Sequence, residues 1–393
     1  MSHCKSNANA PETKQLTAPE VYQLTSQVLQ EHFQLDMSNR DFEASDIWDV
    51  LVAASVQRLT IETACNLLEN APSPNTVRTV IRDLLMNDET LMQIESTVNQ
   101  MLVARLPKSL LKRARPCAAD MTDVPYHGKH EDDDDLVRRG RAKQGTTHFH
   151  SYATLCIIRK NKRYTLAITL FRRSDAVLDA LKRLLHRVEQ VGLRLKRLFL
   201  DRGFDNNDVI AYLSNKSFPT IIPLTIRGKK GGSRALLKGR KSHLTTYTRS
   251  SQKYGERALT VHIVCKYNKG RYRRHAVKHF AYTIIGKLTL TPQQIFEEYR
   301  RRFGIETSYR LMNTMRARTT SKCVALRFFF VALALLLLNL WSYVKWHHLF
   351  IPKRGPRQLL HHLLPLARWR LWLWEMVKQR QGFSLKIVLP MTV

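Results

Sequence analysis

The stretch Tyr299-Arg-Arg-Arg-Phe-Gly-Ile-Glu306 decides how this chain is read. A helix turns about 100° per residue, so Tyr299, Arg302 and Glu306, at i, i+3 and i+7, fall on one face. That face presents a carboxylate escorted by a phenol and a guanidinium. Some hundred residues upstream, the apolar run Leu198-Phe-Leu ends in Asp201 and continues as Arg-Gly-Phe204. A hydrophobic strand that ends in an aspartate delivers its carboxylate at a sheet edge. Further upstream, Arg115-Pro-Cys-Ala-Ala-Asp120 reads as a short buried strand that also closes on an acid.

Three acids from distant sequence suit metal-dependent phosphoryl transfer. Two divalent cations about 3.5–4 Å apart can activate a nucleophile and stabilise the leaving oxygen. Magnesium takes a few carboxylates and completes its shell with water and substrate phosphate. Asp120, Asp201 and Glu306 are the candidate ligands. Each has a plainer reading alone: Asp201 as a turn residue, Glu306 as a surface partner of Arg302 or Arg310. Their order along the chain, with a basic segment between the second and third, favours a site. The acidic run Glu131–Asp135 reads as a solvated loop, because five adjacent acids cannot all face one ion. His148 and His150 share a strand face without a third soft ligand nearby, and read as core or surface histidines.

Charge names the partner. The chain carries 64 Lys+Arg against 32 Asp+Glu, a net +32, which excludes a neutral metabolic enzyme and favours a polyanion, either nucleic acid or an acidic membrane surface. The distribution is uneven. Residues 1–105 hold 7 Lys+Arg and 14 Asp+Glu, whereas 225–292 hold 17 Lys+Arg and a single acid, Glu256. Tyr247, Tyr254, Tyr267 and Tyr272 interleave with those cations, as nucleic-acid contacts or as sheet residues packing on a core. Six scattered cysteines without a Cys-x-x-Cys pair argue against a disulfide framework or zinc site and for a reducing compartment. The polar N-terminus lacks a signal-peptide pattern. Phe328–Leu340 is strongly apolar, but Arg327, Asn339 and Lys345 leave a window short of the ~20 residues of a membrane span, so it reads as a buried core helix. A membrane anchor through 328–344 is the competing expectation.

The coarse pattern predicts a mixed α/β fold in five parts. Residues 1–105 are helical. Within them Asp46–Leu59 and Thr76–Met86, the latter capped by Asn75, flank a proline turn and form either a helix-turn-helix, with Thr76, Arg78 and Arg82 on the reading helix, or a structural or dimerising bundle. Residues 112–224 alternate strands and helices, with a hairpin turn at Lys160-Asn-Lys. Residues 225–292 form a basic β-rich insertion, with strands near 259–266 and 280–286. Residues 293–350 hold one helix over Gln293–Arg316, carrying Glu306, and an apolar helix over Val324–Lys345. A basic tail, 351–393, follows.

These motifs resemble a DDE-class insertion-sequence transposase of the group with a β-strand insertion before the glutamate. The similar stretches are Asp120-Met-Thr-Asp-Val-Pro-Tyr-His-Gly128, Gly145-Thr-Thr-His-Phe-His-Ser-Tyr-Ala-Thr154, Leu200-Asp-Arg-Gly-Phe204, Tyr299-x-x-Arg302-x-x-x-Glu306 and Leu335-Leu-Leu-Leu-Asn-Leu-Trp341. Asp123 rivals Asp120 for the first carboxylate. The resemblance implies an RNase H-like core holding two Mg²⁺ or Mn²⁺ ions. It implies cleavage of double-stranded DNA at inverted-repeat ends and transfer of the 3′-hydroxyls into target DNA. A homodimer would synapse the ends, in the cytoplasm at the nucleoid and without a membrane. Tyr299 and Arg302 would contact DNA. The family's lysine seven residues after the glutamate is here Asn313, and Arg310 and Arg316 are the cations placed to supply that charge. A repurposed copy that binds DNA without cutting it is the alternative expectation.

Overall fold

The computed structural model describes residues 15–86, 91–129, 135–159, 162–267, 277–351 and 357–385. The fold is α/β. Its centre is a sheet of β1 (Arg115–Pro125), β2 (Arg138–Lys143), β3 (Thr146–Arg159), β4 (Lys162–Phe171), β5 (Leu195–Leu200), β6 (Thr220–Pro223), β7 (His243–Ser251), β8 (Gly255–Tyr267) and β9 (Val277–Ile285). From one edge the order runs β4 and β2 on β3, then β1, β5, β6, β9, β8, β7. The β1–β5 and β5–β6 pairs are parallel and the rest antiparallel. The β3–β4 hairpin is present, closing at the Arg159–Lys162 pair; Lys160 and Asn161, where its turn was placed, lie outside the described residues.

The basic insertion does not stand apart from this core. Its strands β7–β9 continue the sheet, because β9 pairs with β6 from Thr220↔Ile285 to Pro223↔Tyr282. Val261, Ile263 and Leu259 then share a core with Leu198, Leu200, α7 (Val177–Gln190) and α8 (Asn207–Ser214).

Helices α1 (Ala18–His32), α2 (Ala44–Gln57), α3 (Ile61–Leu67), α4 (Pro74–Met86), α5 (Leu91–Val103) and α6 (Lys108–Leu111) precede the sheet. The expected cap of α4 is displaced by two residues. Ser73 Oγ accepts from Thr76 N at 3.1 Å, and Pro74 opens the helix, where its missing N–H costs nothing. Asn75 instead accepts from Arg78.

α11 (Val324–His348) is long and apolar enough to cross a membrane by length and composition, yet 72% of its most apolar window is buried inside the protein. Phe328, Phe329 and Phe330 pack with Phe33, Trp48 and Tyr152, so the helix joins the N-terminal helices to the sheet. The C-terminal segment read as a tail contains α12 (Leu366–Gln381), which docks between α1 and α2 with Trp369 fully buried. Arg380 and Gln381 both bond Asp49 of α2, at 3.0 and 2.8 Å, and fix that docking.

β4 is an edge strand along most of its length, and an open edge is a liability. Three helical side chains close it. Asn339 of α11 pairs with both Thr165 N (2.9 Å) and Thr165 O (2.8 Å), Asn99 of α5 does the same for Ile168, and Glu95 accepts from Leu170 N. This explains a polar Asn339 within an apolar helix.

Candidate active site

Sheet register places the two aspartates side by side. β1 and β5 run parallel with Ala119 opposite Leu200, so one step on sets Asp120 beside Asp201, which follows β5 directly. Asp201 opens a short 3₁₀ turn, Arg202–Phe204. Phe204 is fully buried and anchors that turn. Asp205 accepts from Arg249 Nη2 at 2.9 Å and from Thr225 N at 2.6 Å, tying the turn to β7 and the start of the insertion.

The glutamate arrives on a broken helix rather than the single one expected over 293–316. α9 (Pro292–Arg300) ends where Arg301 and Arg302 donate to the carbonyls three residues back, and α10 (Phe303–Met315) starts from tight bonds of the same kind at Gly304 and Ile305. Two tyrosines dock the pieces. Tyr299 donates to Leu200 O at 3.0 Å, next to Asp201. Tyr309 donates to Asp120 O at 2.9 Å and bonds Thr154 Oγ1 at 2.7 Å.

Arg302 draws the three acids together. Its Nη1 donates to Asp120 Oδ2 at 2.9 Å, its Nη2 to Glu306 Oε1 at 3.0 Å, and Asp201 Oδ1 lies 3.5 Å from the same Nη2. Asp120 and Arg302 are only 8% and 5% exposed, whereas nearly half of the Asp201 and Glu306 side chains faces solvent. Burial pushes the Asp120 carboxyl up to about 6, against the pull of Arg302 and with the help of the Asp201 and Glu306 charges. The site is therefore an acid-rich cleft with one shared cation.

Asp123, the rival first carboxylate, sits three residues along β1 and so on the other face of the strand. It is occupied by Lys143 Nζ (3.1 Å) and Ser151 Oγ (2.8 Å). Tyr299 and Arg302, assigned to DNA contact, are both buried: Tyr299 spends its hydroxyl on Leu200 O, and Arg302 spends its guanidinium on the acids. Arg310 and Asn313 are exposed on α10. Arg316, half-buried beyond the helix end, has its basicity lowered by burial. Tyr309 and Thr154 escaped sequence reading; the available signal was that Tyr309 lies one turn after Glu306, on the face already singled out.

His150 is buried and shares a hydrogen bond with Leu136 O, and Asp135, last of the acidic run, accepts from Ser174 N and Oγ; residues 131–134 lie outside the described residues. Tyr254 bonds Asp208, Tyr247 is partly buried on the sheet core, Tyr267 is exposed, and Tyr272 lies outside the described residues.

The donors at the three-acid cleft are all carboxylate oxygens, the chemistry that hard divalent cations require. Among the described residues no group of three or more His, Cys, Asp or Glu stands arranged around a single ion position. Here the guanidinium of Arg302 supplies the positive charge between them. The cleft thus fits divalent ions by donor type and by charge, with Arg302 as the group they must share it with.

Comparison with known proteins agrees with this geometry. The sequence profile of the family described as transposase DDE domain matches residues 112–340, from just before β1 to the middle of α11. The fold is similar to that of piggyBac transposase in a cryo-EM synaptic complex with hairpin DNA, with a TM-score of 0.53 over 94% of this chain and 80% of that one. Identity is 10%, so this likeness concerns the fold, which is RNase H-like. No curated protein sequence matches the chain. Because the family match spans more than half of the residues, the chain belongs to the transposase DDE domain family and is a DNA transposase, an enzyme of a family that generally uses a divalent metal.

Proposed function

We propose that Asp120, Asp201 and Glu306 are the catalytic carboxylates, acting in cleavage at the element's ends and in transfer of the freed 3′-hydroxyls to target DNA. The observation that carries this reading is the convergence of three acids, far apart in sequence, on one guanidinium. Two Mg²⁺ or Mn²⁺ ions held by these carboxylates would supply Lewis acidity and an activated oxygen nucleophile.

The chain's own residues do the rest. Asp201 and Glu306 face solvent, where a phosphodiester arrives, and Asp120 closes the inner side. Arg302 offsets the mutual repulsion of the acids before substrate is bound. Tyr299 and Tyr309 hold α9 and α10 to the strands that carry the aspartates, which keeps the constellation oriented. Outside the cleft, exposed Arg310 and the cations of 225–292 grip the duplex backbone, giving a salt-dependent affinity. In this scheme residues 1–105 bind DNA or dimerise, a homodimer synapses two ends, and the enzyme works at the nucleoid in the cytoplasm.

The test is cleavage of DNA bearing the gene's flanking inverted repeats, with Mg²⁺ or Mn²⁺, by the wild type beside Asp201→Ala and Glu306→Ala. Cleavage at the repeat ends that both substitutions abolish, with duplex binding retained, is the expected result. Tight binding without cleavage by the wild type overturns the proposal and leaves a DNA-binding protein.

A further inference from the structure

On the side of α10 away from Glu306 lies a cavity of about 400 Å³, lined by Arg163 and Thr165 of β4, Ser308 of α10, Asn339 and Lys345 of α11, and His361. Lys345 is 5% exposed. Its ammonium sits 3.0 Å from the centre of the Trp341 ring. Among the described residues it makes no ion pair, and neither does Arg163. Among the described residues no aspartate or glutamate lines the cavity, and the Asn339 amide is already spent on Thr165 and Leu102. The Arg163 guanidinium lies against Gly304 of α10, where a Cβ would stand 2.9 Å from Nε.

Two cations in one half-enclosed space, with no anion between them, is an unfavourable arrangement, because a buried charge needs a partner. We propose that this cavity is an oxyanion site that takes a phosphate group between Lys345 and Arg163. Burial, and then the Arg163 charge, holds the Lys345 ammonium down to about 7, the direction expected of a cation whose counter-charge has to come from outside. The face of Trp341 offsets part of that cost. Exposed Arg310, close enough to lower the basicity of Arg163, extends the positive field from the cavity to the surface. The phosphate is either that of a DNA backbone or free in solution. The site is separate from the three-carboxylate cleft and stands or falls independently of it.

The experiment is thermal unfolding of the full chain titrated with sodium phosphate at constant ionic strength, set by chloride. The wild type should show a saturable rise in Tm that Lys345→Arg retains and Lys345→Met loses. Arg163→Gln should lose it too, which keeps the test sound should one variant fold poorly. An equal response in Lys345→Met, or no saturable response in the wild type, overturns the site. Duplex binding against salt then separates the sources. If the backbone supplies the phosphate, Lys345→Met lowers the log–log salt slope by about one. If the slope is unchanged while the phosphate response is lost, the ligand is free phosphate.

Discussion

α10 separates two pockets of opposite character. Glu306 looks into a cleft with three carboxylates and one arginine, while Ser308, about 200° further round the helix, lines a cavity that holds two cations and, among the described residues, no acid. Both concentrate like charge against the same sheet, and they resolve it differently. In the first, a buried guanidinium inside the protein bridges the acids. In the second, the face of an aromatic ring meets the ammonium. A basic chain need not spread its charge as a solvated coat: here some of it is placed at depth, where low polarity makes each charge count for more.

The largest effect should come from removing an acid. Asp201→Ala or Glu306→Ala should lower metal-dependent end cleavage by at least about 10³-fold, measured as single-turnover strand cleavage. Duplex affinity should stay within a few-fold, because these side chains do not face the duplex with positive charge. Loss of binding in step with cleavage would mean that the acids only maintain the fold.

Next is the shared cation. Arg302→Met leaves buried Asp120 without its partner and should destabilise the protein by about 3 kcal/mol, read from urea unfolding. Adding Asp120→Asn to the same chain should recover much of that loss. If the double variant is as unstable as the single one, Arg302 acts through packing and not through the acids.

The cationic cavity predicts the opposite sign. Lys345 in the folded chain has its affinity for protons depressed to about 7 by burial and Arg163, below its ordinary value near 10. Between those values the unfolded chain binds more protons than the folded one, so stability rises with pH from about 7 to about 10. The cations facing Lys345 from the neighbouring elements are Arg163 and, when protonated, His361. Lys345→Met should remove this slope and stabilise the protein at neutral pH by about 2 kcal/mol. A stability curve that keeps its slope in the variant would assign it to other groups. The smallest effect concerns Tyr299. Tyr299→Phe loses the bond to Leu200 O and should cost about 1 kcal/mol of stability with DNA affinity unchanged. A clear drop in affinity without a stability change would restore it as a DNA contact.

Much of this was legible in the residues. The strand that ends just before Asp201, the glutamate helix and the buried character of the apolar helix follow from local pattern, since periodicity and a terminal acid are properties of neighbouring residues; the first strand, expected to close at Asp120, instead runs on to Pro125 because Met121–Pro125 pair with β3. The break between Arg300 and Phe303 was not legible, because Tyr-Arg-Arg-Arg-Phe-Gly carries no proline and suits a continuous helix. It exists because Tyr299 must reach Leu200 O while Tyr309 reaches Asp120 O. The tail's helix α12 was hidden for a similar reason: its tryptophans and arginines read as a basic segment until α1 and α2 provide the groove that buries Trp369.

By itself, then, the sequence determined the kinds of element, the strongly basic charge and the three candidate acids, all of which depend on composition and short-range spacing. Tertiary structure alone decided that Asp120 and not Asp123 joins the other acids, because strand register and face are settled by pairing across the sheet. It also decided that Arg302 turns inward to the carboxylates, and that Lys345 and Arg163 line one cavity with no acid beside them among the described residues, since burial is a property of what packs on a residue and not of the residue itself.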